Sequence, residues 1–317
     1  MRFLTFESKG AQRPGLLADD GRGGRIVDLT AALAHARDRG ALSFEGPVPG
    51  DLLGLIQAGD AFLHAAEVLA GLAKDGELDG VSLAADACRR LAPIPRPAKN
   101  VFCVGRNYAA HVSEGYKARK MKQVLPEHPQ FFTKPPTAVT GPDAAIRLDP
   151  DVTQKLDYEV ELAVVIGRRG RDIPAAEADN YIFGYTIAND VTARDLQRRH
   201  DQWFKGKGLD GSCPMGPHIV TPDALPNVGE LAIGLTVNGE TRQDGNTRDL
   251  IFSIPVIIET LSLGMTLEPG DIISTGTPSG VGYAMDPPQF LKAGDEVTCQ
   301  IEGIGTLTNW IADKEAA

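Results

Sequence analysis

The chain has 317 residues, of which 42% are hydrophobic and 23% charged, and a formal net charge of −10 at pH 7. That composition excludes a disordered or fibrous polypeptide, and at a usual ~150 residues per domain the length allows a full core with a smaller appendage. An acidic surface repels phosphate backbones and anionic lipid, so neither nucleic acid nor a membrane is expected as the main partner.

The first residues, Met1 to Glu7, lack the apolar core of a signal peptide, and no apolar run approaches the ~20 residues of a membrane span. Cys88, Cys103, Cys213 and Cys299 are scattered without C-x-x-C spacing, which argues against a zinc ribbon or disulfide framework and for a reducing, cytoplasmic setting. Residues 1–92 mix short strand-like pieces with Ala/Leu-rich helical patterns such as Leu53–Leu72, and are expected to form a small N-terminal α+β domain. Residues 93–98 hold Pro93, Pro95 and Pro97, which interrupt both helix and ladder and mark a linker.

From 99 to 317 the pattern becomes β-rich, with strand-like runs at Val101–Val104, Leu162–Ile166, Ile182–Ile187, Ile233–Val237, Asp271–Ser274 and Val297–Ile301. Helical patterns are short, the clearest being Thr192–His200 and Ile251–Leu261. Strands without regular βαβ alternation imply an α+β, mostly β fold with mixed or antiparallel sheets, and no repeat of fixed period points to a solenoid or propeller.

Candidate chemistry follows the same order. His111 and Glu114 stand one helical turn apart, so the carboxylate can orient the imidazole and raise its basicity, although an exposed polar turn fits the same residues. The stretch Tyr116–His128, polar and Lys-rich without a core pattern, has the character of a closing lid. Glu159 and Glu161 lie at i and i+2 on a strand leading into Leu162–Ile166, and so share a face. Two adjacent carboxylates there resist burial unless a cation neutralises them, and all-oxygen ligation suits Mg²⁺ first, with Mn²⁺ or Ca²⁺ as alternatives. An edge strand with two solvated glutamates is the plainer alternative. Asp190 ends the next strand and opens a helical pattern; it is the best third ligand, and equally a plain N-cap. Arg194 and Gln197 follow at four and seven residues, on its face if helical, where they suit a substrate carboxylate. Gly276–Gly282 reads G-x-x-x-G-x-G, which is neither a Walker loop nor a dinucleotide fingerprint.

Taken in order over roughly residues 99–310, these segments resemble the fumarylacetoacetate hydrolase family. The stretches that carry the resemblance are Val104–His111, Tyr158–Leu162, Asn189–Gln197, Gly206-Lys207, Pro214–Pro217, Val237–Glu240 and Leu267–Pro278. The resemblance implies a mixed β-sandwich roll, a homodimer, and a divalent metal on Glu159, Glu161 and Asp190. It also implies a water-activating pair in His111 and Glu114, an active-site lysine at Lys207 and a carboxylate-binding threonine at Thr277, with Arg106, Tyr108 and Lys134 as further pocket candidates. The expected activity is Mg²⁺-dependent cleavage of a C–C bond in a 2,4-dioxo acid, giving pyruvate and a carboxylic acid. Its rivals are isomerisation, decarboxylation or hydration of a 2-hydroxymuconate-type diacid in aromatic catabolism, and a catalytically inactive binding protein on the same fold.

Overall fold

The computed structural model describes residues 1–18 and 24–314. Its centre is a twelve-stranded mixed sheet whose main path runs Ser82–Ala84, Arg25–Asp28, Ala11–Ala18, Arg2–Ser8, Cys213–Val220, Ile182–Asn189, Val160–Ile166, Ile272–Ser274, Val101–Gly105, Gln130–Lys134. A five-stranded sheet covers part of it, in the order Glu240–Asn246, Ala232–Val237, Glu296–Ile301, Gly305–Asp313, Ala145–Leu148. This is the expected α+β, strand-dominated sandwich. All six strand-like runs of the larger part are strands, and Ile254–Ser262 is the helix expected at Ile251–Leu261.

The Val160–Ile166 strand is buried at every position, because both of its faces are covered. Val160, Leu162, Val164 and Ile166 pack with Ile233, Leu235, Val297 and Cys299 of the smaller sheet. Ala163 and Val165 face the other way, into a core shared with Phe3, Phe62, Leu52 and Leu55 from the first ninety residues. A strand buried on both sides reads as an unbroken apolar run, which is why alternation is absent beyond Glu161.

Residues before the proline-rich stretch extend the same large sheet. Arg2–Ser8 pairs antiparallel with Cys213–Val220, with Arg2 opposite Val220 and Phe3 opposite Ile219. The Leu53–Leu72 pattern resolves into two helices, Leu52–Gln57 and Asp60–Lys74, because Gly59 between them takes the left-handed φ of 62° that breaks a helix. Asp28 and Asp51 cap their helices by accepting from the backbone N–H groups of Ala31 and Gly54 at 3.1 and 2.7 Å.

His218, on the Cys213–Val220 strand, is buried, and neither ring nitrogen has a hydrogen bond of normal geometry. Burial, with Arg2 and Arg90 nearby, pushes its imidazole down to about 4 from an ordinary 6.5, against a weak opposing pull from the Ile304 backbone. The unfolded chain takes up this proton more readily than the fold does, so the stability is intact above pH 6.5 and lost as the pH falls towards 4, by roughly 3 kcal/mol at most. Melting temperature is therefore expected to drop more steeply from pH 6.5 to 4 in the wild type than in His218→Gln. Parallel curves would refute this.

Candidate active site

Strand register assembles the carboxylates. Val160 pairs with Asn189 across the antiparallel ladder, so the residues just beyond that pair, Glu159 and Asp190, come side by side, and the Asp190 N–H donates to the Glu159 carbonyl at 2.8 Å. Glu161, two residues on from Glu159, faces the same way. Oxygens of Glu159, Glu161 and Asp190 lie within 4.8 Å of one another, and all three side chains are buried. The N-cap alternative for Asp190 does not hold: the helix begins at Arg194, and Thr192-Ala193 pairs as a short strand with Leu156-Asp157.

Cations surround this cluster. Lys207, 2% exposed, reaches Glu159 at 2.8 Å and Asp190 at 2.5 Å. Lys134 places its ammonium 2.8 Å from Asp190 Oδ1, and Arg194 sits 2.6 Å from Glu159 and 2.8 Å from Asp157. Burial alone would raise the Glu159 carboxyl, but Lys207 and Arg194 hold it well below the usual carboxylate range. Among the described residues Glu161 has no cation at ion-pair distance: burial and the charges of Asp190 and Glu159 push it up to about 8, although Lys207 pulls the other way and Ser274 Oγ (2.5 Å) and the Gly276 N–H (3.0 Å) donate to it.

Lys207 is set in place by a close approach. Gly206 lies so near the Arg194–Arg199 helix that a Cβ there would come within 2.4 Å of the Gln197 nitrogen, and this presses the Phe204–Lys207 turn inward. Lys205 is exposed and takes no part.

The expected helical turn exists. His111 and Glu114 lie on the helix Ala109–Ala118, with Nδ1 and Oε1 2.8 Å apart. The other Glu114 oxygen accepts from the Gly280 N–H at 2.8 Å, which ties this helix to the Gly276–Gly282 loop. With Nδ1 engaged by the carboxylate, Nε2 is the basic nitrogen. Residues 119–129 have no regular structure and are largely exposed, with the apolar side chains of Met121, Val124 and Leu125 among them.

A cavity of about 50 Å³ brings these groups together; Arg106, His111, Glu159, Glu161, Arg194, Gln197, Lys207 and Thr277 all line it. Tyr108 and Lys134 do not: both are buried behind its wall. Lys134 donates to the Val191 carbonyl (3.1 Å) and the Lys207 carbonyl beside its ion pair with Asp190, away from the cavity lining, and so braces the site from behind.

Three supporting residues stand outside the sequence-level candidates. Asp157 accepts from Arg194 Nε and from the N–H groups of Gly282 and Tyr283, which fixes both the arginine and the loop. Its place at i−2 from Glu159 extends the alternating row of carboxylates and was the available signal. Gln243 accepts from the Val160 N–H and donates to Thr277 Oγ1 at 2.8 Å, joining strand and loop; no local pattern marks it. Tyr283 stacks over Arg194, 4.4 Å from ring centre to guanidinium, and lines the cavity.

The donor set fits a hard divalent cation. Three convergent carboxylates, one of which cannot comfortably ionise beside the other two, are what oxygen-ligated dications neutralise, and the site opens to the cavity rather than being closed by further protein ligands.

Comparison with known proteins agrees with this geometry. Residues 100–312 match the family model described as fumarylacetoacetate (FAA) hydrolase C-terminal. The chain is 46% identical over 314 residues to the oxaloacetate tautomerase YisK of Bacillus subtilis, covering 98% of this chain and all of that protein. Among solved structures, a fumarylacetoacetate hydrolase from Exiguobacterium antarcticum superposes with a TM-score of 0.78 at 40% identity over 99% of this chain and all of the other. A 5-carboxymethyl-2-hydroxymuconate delta-isomerase from Mycobacterium smegmatis gives 0.72 at 35% identity, covering 99% of each. The order of the carboxylate strand, the Asp190 junction and the Gly276 loop is thus that of a shared fold over the whole length, and the chain belongs to the fumarylacetoacetate hydrolase family.

Proposed function

We propose that the chain interconverts the keto and enol forms of a short 2-oxo acid of the oxaloacetate kind, with Mg²⁺ on Glu159, Glu161 and Asp190. The observation that carries this is the facing of Glu159, Glu161 and Lys207 by His111, which Glu114 orients, across only about 50 Å³. At ~10–15 Å³ per water that is room for a few waters, or one small acid. The Bacillus subtilis tautomerase supports the same reading. The same proposal has the chain acting as a homodimer in the cytoplasm, a setting that its four free cysteines suit. Among the described residues no helix is long and apolar enough to cross a membrane.

When bound, the cation would supply Lewis-acid polarisation of the 2-oxo group. The remaining work falls to side chains. Gln197 and Thr277 offer hydrogen bonds to the acid end, with Arg194 held beside them by Asp157. His111 Nε2 takes a proton from C3; the C–H electron pair becomes the C2–C3 double bond, and the charge passing to the 2-oxygen is met by Lys207. Water gives a proton to that oxygen as His111 gives up to solvent the one it took, which completes the enol, and the reverse sequence restores the ketone.

A second reading, C–C hydrolysis, is favoured by the Glu114-oriented histidine. His111 would instead take a proton from water, whose oxygen adds to the distal carbonyl of a 2,4-dioxo acid; the C–C bond then breaks to release a carboxylic acid and the enol of pyruvate. Oxaloacetate and a panel of acylpyruvates, followed by enol absorbance with and without Mg²⁺, decide between the two. His111→Ala is expected to lower the favoured reaction by about 10²- to 10⁴-fold. Undiminished turnover in that variant would remove His111 from either mechanism.

A further inference from the structure

We infer that Arg106 reads the far carboxylate of a 2-oxo diacid, assisted by Arg119, so that the enzyme selects dicarboxylates over monoacids. The inference deepens the enolisation reading and rests on it. The cations lining the cavity fall into two sets. Arg194 and Lys207 are buried and already engaged, the first with Asp157 and Glu159, the second with Glu159 and Asp190. Arg106 and Arg119 also line the cavity but lie nearer solvent, one half-buried and one exposed. Among the described residues neither forms an ion pair with an acid, in a chain whose net charge is −10. Two arginines left without acids at the outer wall of an acidic protein's cavity make a seat for an anion.

Arg106 is also held for that purpose. It follows the Val101–Gly105 strand with a left-handed φ of 58°, a conformation that a non-glycine residue keeps only when its surroundings enforce it. Its guanidinium lies 5.6 Å from the Trp203 ring centre and 5.8 Å from that of Tyr116. At these distances both rings attract the cation, and such contacts leave N–H groups of the guanidinium for a carboxylate. The preceding Gly105 admits Trp203 so closely that a Cβ would sit 2.3 Å from the indole. Tyr116 belongs to the helix that carries His111 and Glu114, so an anion on Arg106 also steadies the base.

Calorimetric titration of the full chain with two unreactive probes, succinate and butanoate, tests this. The wild type is expected to bind succinate about 10- to 100-fold more tightly, as a charge-assisted hydrogen-bonding pair implies. Arg106→Gln is expected to erase that preference by weakening succinate far more than butanoate, and Arg106→Lys, which keeps the charge but not the fork, to retain part of it. Arg119→Gln should weaken succinate by a smaller factor. A wild type indifferent to the second carboxylate, or an Arg106→Gln protein that retains the preference, overturns the assignment. Oxaloacetate enolisation measured on the same preparations separates the two ideas. Succinate preference without enolisation upholds Arg106 and sinks the proposed reaction, whereas enolisation without preference does the reverse.

Discussion

Glu161→Gln is expected to cut Mg²⁺-dependent turnover by at least about 100-fold without unfolding the protein. The substitution keeps the volume of the side chain and an oxygen to accept from Ser274 and the Gly276 N–H, so packing around it is preserved. It removes a carboxyl that burial, Asp190 and Glu159 make reluctant to ionise. The metal-free variant should therefore melt no lower than the wild type, and higher if repulsion among the three acids dominates. What it loses is the response to the cation. A ligand present at 100 times its dissociation constant stabilises by about 2.7 kcal/mol, and this increment should shrink or vanish in the variant. Melting curves with Mg²⁺ and with chelator, alongside turnover, give both readouts. Full activity in Glu161→Gln, or wild-type activity in excess chelator, would end the metal reading.

Lys134→Met should give the largest loss of stability, about 3–5 kcal/mol by urea unfolding. The Lys134 ammonium is fully buried, 2.8 Å from Asp190 and bonded to the Val191 and Lys207 carbonyls. Methionine fills the volume but takes a cation from Asp190 and a donor from each carbonyl, leaving Asp190 with Lys207 and the Lys207 carbonyl with Ser212 Oγ. Because Lys134 braces the backbone under Lys207, the loss should come with reduced turnover even where the variant is folded. A change below about 1 kcal/mol would mean that Asp190 is neutralised without it.

What could be read from the sequence was what depends on near neighbours. The i, i+2 relation of Glu159 and Glu161 and the i, i+3 relation of His111 and Glu114 are fixed by strand and helix periodicity, and both pairs meet as those periods require. Asp190 needed the resemblance, because its partnership with Glu159 is set by register across a ladder, which no local spacing encodes. Lys134, expected in the pocket, lies behind it for a related reason: the Asp190 carboxylate and the Val191 and Lys207 carbonyls that make its burial tolerable all come from distant parts of the sequence. Gln243 escaped notice altogether, since its partners, Val160 on one side and Thr277 and Pro278 on the other, lie far from it in sequence. The break at Gly59 could be seen as a glycine but not as a turn, because an isolated glycine within a helical pattern is often tolerated.

The pairing of Arg2–Ser8 with Cys213–Val220 bears on how the molecule assembles. Thr5–Glu7 meets Arg89–Leu91, but Arg2 and Phe3 on the same edge cannot pair until Ile219 and Val220 have been made, more than two-thirds of the chain later. Closing so long a loop costs entropy before any contact rewards it, and topologies built on such distant pairings fold slowly. Meanwhile Val160–Ile166 and Ile182–Asn189, which bring the acids together, are consecutive strands joined through residues 167–181 and can pair early. The catalytic ladder is thus free to form as a local unit, while the unpaired end of the edge at Arg2 and Phe3 stays open as a place where another chain could add itself during synthesis.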